Sequence, residues 1–238
     1  MTDANARIRL TTVRCIDEGD GPGSAEPYLW TVFFKIDGTT ASVTSELRLT
    51  GRSTVIATVG NQGDLPNHDV DDGEIVLVPL ALGQFRTRLR PIPLQAPIGG
   101  VSEVGGVLGM VAVLMEEDNT PASAIAAGHR ALNRAVRRAL DELIPTLGFL
   151  RQEPTPDDIE KITQQVGNSV LAAVSNDVSA WEWLTGLGNM DEKIGSMVEQ
   201  YSQDALLNAG TAGITFAQRF RSEGEWELTG RASARRIP

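Results

Sequence analysis

Strand-type alternation at both ends of this chain, with helical periodicity between, sharply limits what it can fold into. Near the start, Ile8, Leu10, Thr12 and Arg14 alternate with Arg9, Thr11, Val13 and Cys15, a period of two. Near the end, Trp226, Leu228 and Gly230 share one parity, and Glu225, Glu227 and Thr229 the other. Between them Ile125, Leu132, Val136, Leu140, Leu143 and Leu147 fall on a stripe repeating about every 3.5 residues, the signature of an amphipathic helix. Strands on both sides of a helical block predict an α+β chain: one antiparallel β-sandwich with a helical insertion before the last strands.

Further strands are expected over residues 28–36, ending at the turn pair Asp37-Gly38, and over 41–49, 54–59, 74–80, 84–89, 104–115 and 213–220. Gly and Pro punctuate them, which favours a sandwich over a parallel sheet with crossover helices. Asn119-Thr120-Pro121 starts the first helix, with Pro where a missing N–H costs nothing. Thr155-Pro156-Asp157-Asp158 starts a second, with the stripe Ile159, Ile162, Val166, Val170 and Val174; a third short segment carries Trp181 and Trp183. The expected division is therefore 1–118 for the main part of the sandwich, 119–187 for the insertion, and 188–238 for a loop and completing strands. The tail 231–238 is expected to fray.

A formal net charge of −10 argues against nucleic acid and anionic lipid as partners, since both reward a basic surface. Cys15 stands alone, so no intrachain disulfide and no cysteine-based zinc site can form. The first residues lack the basic and apolar regions of a signal peptide, and the longest apolar run, 104–115, is too short for a spanning helix. A cytoplasmic location is the simplest expectation.

The most specific local pattern runs from Asp17-Glu18-Gly19-Asp20 through a Gly-rich stretch to Glu26-Pro27-Tyr28: a strand, an acidic loop and a second strand. It resembles the first calcium loop of C2-type β-sandwiches, where Asp17 and Asp20 match the loop carboxylates and Glu26 stands in place of the family's Asp. Asp191, Glu192, Ile194 and Gly195 resemble the same family's later acidic loop, with Met190 where an acid or polar residue is expected. The resemblance implies a C2-like fold and calcium as cofactor. Calcium needs six to eight oxygens from convergent loops. Glu116-Glu117-Asp118 offers a third acidic strand end, so the candidate ligands are Asp17, Asp20, Asp118, Asp191 and Glu192. The loop 67–74, with His68, lacks the spacing of an EF-hand and reads as a mobile surface loop.

Catalytic patterns are sparse. His129 lies near the helix stripe and reads as a satisfied, partly buried imidazole; no Gly-x-Ser-x-Gly, His-Glu-x-x-His or phosphate-cradling Gly-Lys-Ser/Thr occurs. Gly99-Gly100 and Gly105-Gly106 read as turns or bulges. Arg130, Arg134, Arg137 and Arg138 form a basic helix face, with Asp157, Asp158 and Glu160 as the expected internal partners. Three readings follow: a non-enzymatic binding or interaction module with a protein partner or self-association, a membrane-active or self-assembling protein using its helices, and a hydrolase of unrecognised type. The first fits the loops best.

Overall fold

The computed structural model describes residues 2–19, 25–57, 63–117, 122–148, 193–222 and 224–237. Its spine is β1 (Ala4–Asp17), whose buried positions Ala4, Ala6, Ile8, Leu10, Val13 and Cys15 follow the strand period. β13 (Glu225–Arg236) pairs with it antiparallel over its whole length, from Ala4 opposite Arg236 to Asp17 opposite Glu225. The tail expected to fray is thus strand through Arg236. The reason is pairing: β1 extends back to Ala4 and satisfies that backbone.

The other edge of β1 is shared. β6 (Ile75–Leu77) pairs with Thr12–Arg14, and β7 (Gln84–Leu89) pairs with residues 4–9. A single turn of helix, α1 (Leu80–Gly83), joins them. β12 (Ile214–Phe220) adds to the far side of β13 and completes the outer sheet. At the register shift between Leu10 and Thr12, Thr229 Oγ1 lies 2.7 Å from the hydroxyls of both Thr11 and Thr12.

A second antiparallel sheet lies against it, in the order β11 (Lys193–Ser202), β10 (Val107–Glu116), β2 (Pro27–Ile36), β5 (Thr54–Ala57). Alternate residues of its two central strands enter different cores. Leu29, Phe33, Leu108, Met110, Ala112 and Leu114 pack toward the outer sheet with Ile8, Leu10, Trp226 and Leu228. Trp30, Val32, Phe34, Ile36, Val111 and Val113 pack on the opposite side. There they meet a small third sheet of β3 (Ala41–Val43), β4 (Leu49–Gly51), β8 (Ile92–Ile98) and β9 (Val101–Val104).

The long helix α2 (Ala122–Leu143) covers that same side with Ile125, Leu132, Val136 and Leu140. Each such side chain gains about 1.5–3 kcal/mol on burial, which outweighs the few tenths of a kcal/mol per residue that separate ordinary helix propensities. Docking therefore holds this helix in place.

The architecture is an antiparallel β-sandwich with a helix before the last strands, as the sequence predicts. It carries a further layer: β2 and β10 are buried on both faces, and both are apolar at most positions of either parity. The expected strand 41–49 is a hairpin of β3 and β4, turned at Leu47 with φ 63°. After β11 comes α3 (Gln203–Ala209), capped by Ser202, whose Oγ accepts from the Ala205 N–H at 3.2 Å. The second and third expected helices lie outside the described residues.

Candidate functional site

The predicted metal ligands Asp20, Asp118, Asp191 and Glu192 lie outside the described residues. Asp17 ends β1, and its Oδ1 accepts the Gly19 N–H at 3.0 Å, closing a local turn. The structure brings it to the loop 67–74. Gly73 donates to the Cys15 carbonyl at 3.1 Å, Cys15 donates to the Glu74 carbonyl at 3.0 Å, and the Glu18 N–H donates to Asp72 Oδ1 at 2.7 Å. That loop is held by Asn67 and Glu74 side chains and by reciprocal bonds between Ala25 and Val70. An ordered acidic end results.

Its like charges are felt locally. Desolvation and the carboxylates of Asp72, Asp71 and Asp17 raise the Glu18 carboxyl above its ordinary range. Burial, with those same neighbours, pushes the Cys15 thiol up to about 12, so it stays protonated and unreactive. Among the described residues no group of three or more His, Cys, Asp or Glu is arranged to hold a metal ion. Ile194 and Gly195, matched above to an acidic loop, lie in β11: Ile194 is buried, and Gly195 pairs with Leu114.

Two partly buried acid–base groups are structural. His129 donates through Nε2 to the Thr31 carbonyl at 3.1 Å and stacks on Trp30 at 6.1 Å, and burial lowers its pKa. Glu199 accepts the Tyr201 hydroxyl at 2.5 Å; burial raises the Glu199 carboxyl against that bond's pull. Both expectations for His129, partial burial and a satisfied ring, hold.

The concentration of charge that sequence reading passed over lies on the exposed side of the outer sheet. Period-two geometry sends Arg7 and Arg9 of β1, Arg86 and Arg88 of β7, and Arg231 and Arg235 of β13 to one face. The register aligns them in rows: Arg7 between Arg86 and Ser233, Arg9 between Gln84 and Arg231, Asn5 between Arg88 and Arg235. Asp3 neutralises Arg88 at 2.5 Å and approaches Arg90 at 3.9 Å. Arg231 donates to the Thr211 carbonyl at 2.6 Å. Arg7, Arg9, Arg86 and Arg235 have no ion-pair partner among the described residues.

A groove of about 600 Å³ crosses this face, lined by Asn5, Arg7, Arg86, Thr211, Ser233 and Arg235 among others. Its polar groups are guanidinium, amide and hydroxyl donors. Such a set can hold carboxylate or phosphate oxygens, and Arg does so bidentately. The signal in the sequence is the spacing: Arg-x-Arg at 7–9 and at 86–88, and Arg-x-x-x-Arg at 231–235, each keeping strand parity. Farther along the same face the charge is balanced, since Arg219 pairs with Glu227 at 3.0 Å and Glu225 at 3.4 Å.

No helix among the described residues is long and apolar enough to cross a membrane. No protein-family model matches the chain, and no curated protein matches it. Among solved structures, human GIVD cytosolic phospholipase A2 in complex with methyl gamma-linolenyl fluorophosphonate aligns over 99% of this chain at 11% identity and a TM-score of 0.32. This chain spans 17% of that one, and a likeness of this degree carries no argument about fold or function.

Proposed function

We propose that the chain is a non-enzymatic interaction module that holds an anionic partner on the arginine face of its outer sheet. One observation carries the reading: Arg7, Arg86 and Arg235 line a single groove with no ion-pair partner among the described residues, in a chain of net charge −10. Self-repulsion among guanidiniums is destabilising, so a folded acidic protein gains from such a cluster chiefly when an anion occupies it. Fluorescence anisotropy with labelled deca-glutamate, against deca-lysine, tests the reading at rising salt. Binding of deca-glutamate that weakens with salt and falls at least tenfold in an Arg7→Glu/Arg86→Glu variant supports it. Absence of binding at low salt, or equal binding by that variant, removes it.

A second reading is calcium at the acidic end, supported by the resemblance of residues 17–20 to a calcium loop and by the Glu18 N–H bond to Asp72 that ties this loop to residues 67–74, where the described carboxylates make no ligand group of three by themselves. A thermal midpoint raised by calcium and restored by chelator supports it; an unchanged midpoint removes it.

A further inference from the structure

The arginine face does not end in neutral polar surface. β6 continues it along the same edge of β1, placing Leu77 opposite Thr12 and Ile75 opposite Arg14, while Val76 between them points into the core. Ile75 is 59% exposed and Leu77 69%, and Leu80 of α1, which follows, is 51% exposed. At a strand rise of about 3.4 Å per residue, Thr12 lies about 10 Å along β1 from Arg9, so the apolar ridge and the guanidiniums fall within the reach of one short peptide.

We infer that the partner on this face is an acidic polypeptide segment that also carries apolar side chains, an inference that rests on the anion-binding reading above. Three observations favour a polypeptide. The charge is complementary to carboxylates and is carried by arginine, the basic residue enriched at protein interfaces, which matches a carboxylate bidentately. The exposed large side chains beside the charges are aliphatic, so bases find no aromatic platform on which to stack. The arginines stand at alternate positions of paired strands, the spacing at which an extended peptide presents successive same-face side chains.

The test uses the full chain and two labelled ten-residue peptides of equal charge, one alternating Glu and Leu, the other Glu and Ser. The Glu–Leu peptide should bind at least tenfold more tightly. An Ile75→Thr/Leu77→Thr variant, which puts a strand-forming β-branched residue at both exposed positions, should bring Glu–Leu binding down to the Glu–Ser level and leave deca-glutamate binding unchanged. The comparison of the two peptides on the unaltered protein stands even where that variant does not fold. Equal binding of both peptides, or a Glu–Leu affinity that the variant retains, overturns the inference while leaving the anion-binding reading in place. Tighter binding of a single-stranded RNA or of anionic phospholipid vesicles than of the Glu–Leu peptide also overturns it. Failure of deca-glutamate itself to bind removes both readings together.

Discussion

Arg7 of β1 and Arg86 of β7 stand directly opposite each other across an antiparallel pair, like charges at the closest cross-strand position. Such a pair opposes folding, by an amount comparable to the 0.2–1 kcal/mol that favourable cross-strand pairs contribute. Arg86→Thr should therefore stabilise the protein by about 0.2–1 kcal/mol at low salt, less at high salt, while weakening deca-glutamate binding. Urea midpoints at two ionic strengths measure this. A variant less stable than the parent would show that the two guanidiniums are not in net repulsion.

A different charge relationship locks the end of β2. Asp37 is fully buried and accepts from Lys35 Nζ at 2.7 Å, from the Thr39 N–H at 3.1 Å and from the Arg90 N–H at 3.1 Å; Lys35 also donates to the Arg88 carbonyl at 2.9 Å. Every bond runs to the turn after β2 or to the β7–β8 junction. Removing the carboxylate strands a buried ammonium and two N–H groups, so Asp37→Ala should cost about 3–5 kcal/mol. Lys35→Met should cost less, because the two backbone donors still satisfy Asp37. A urea titration that ranks them in the reverse order contradicts this account.

Gly109 sits mid-strand in β10 opposite Phe34. A Cβ built there would lie 2.1 Å from Phe34 Cζ, inside the ring's own space. Phe34 is fully buried and the core is close-packed, so the ring has nowhere to go. Gly109→Ala should destabilise by about 1–3 kcal/mol through overpacking. Phe34→Leu/Gly109→Ala should cost less than the two single changes combined, and a double-mutant cycle that sums additively would exclude the contact.

How far the sequence discloses this depends on which signal each residue sends. β7 is legible residue for residue at 84–89, because its polar–apolar alternation reports one exposed and one buried face. β8, β9 and β11 are not: Pro93 and Pro97 interrupt β8, and Lys193, Glu199 and Gln200 dilute the apolar pattern of β11, whose Ile194 and Met197 are buried. The third sheet escapes notice because Trp30 and Phe33 look alike in sequence yet face different cores. The arginine face was visible only in fragments. Arg7, Arg86 and Arg235 are far apart in the chain, and only the register of β1 with β7 and β13 makes them neighbours.

The buried imidazole of α2 sets the pH dependence on the acid side of neutrality. Burial lowers the pKa of His129 in the folded protein, against the pull of the Thr31 carbonyl, below the 6.5 of an unperturbed ring. Below that value the unfolded chain takes up a proton that the folded chain resists. Stability from this group is thus fully present above about pH 6.5 and is lost as pH falls toward the folded value. Glu199 and Asp204 act in the opposite sense. Their carboxyls are raised by burial, so the stability they contribute at low pH declines as pH climbs through their folded values. His129→Gln keeps an N–H donor for Thr31 without a titrating group. Urea unfolding between about pH 5 and 6.5 should therefore show stability rising with pH in the parent and level or falling in the variant. Parallel curves would mean that His129 titrates alike in both states and that its contact with Trp30 and Thr31 does not shield it from water.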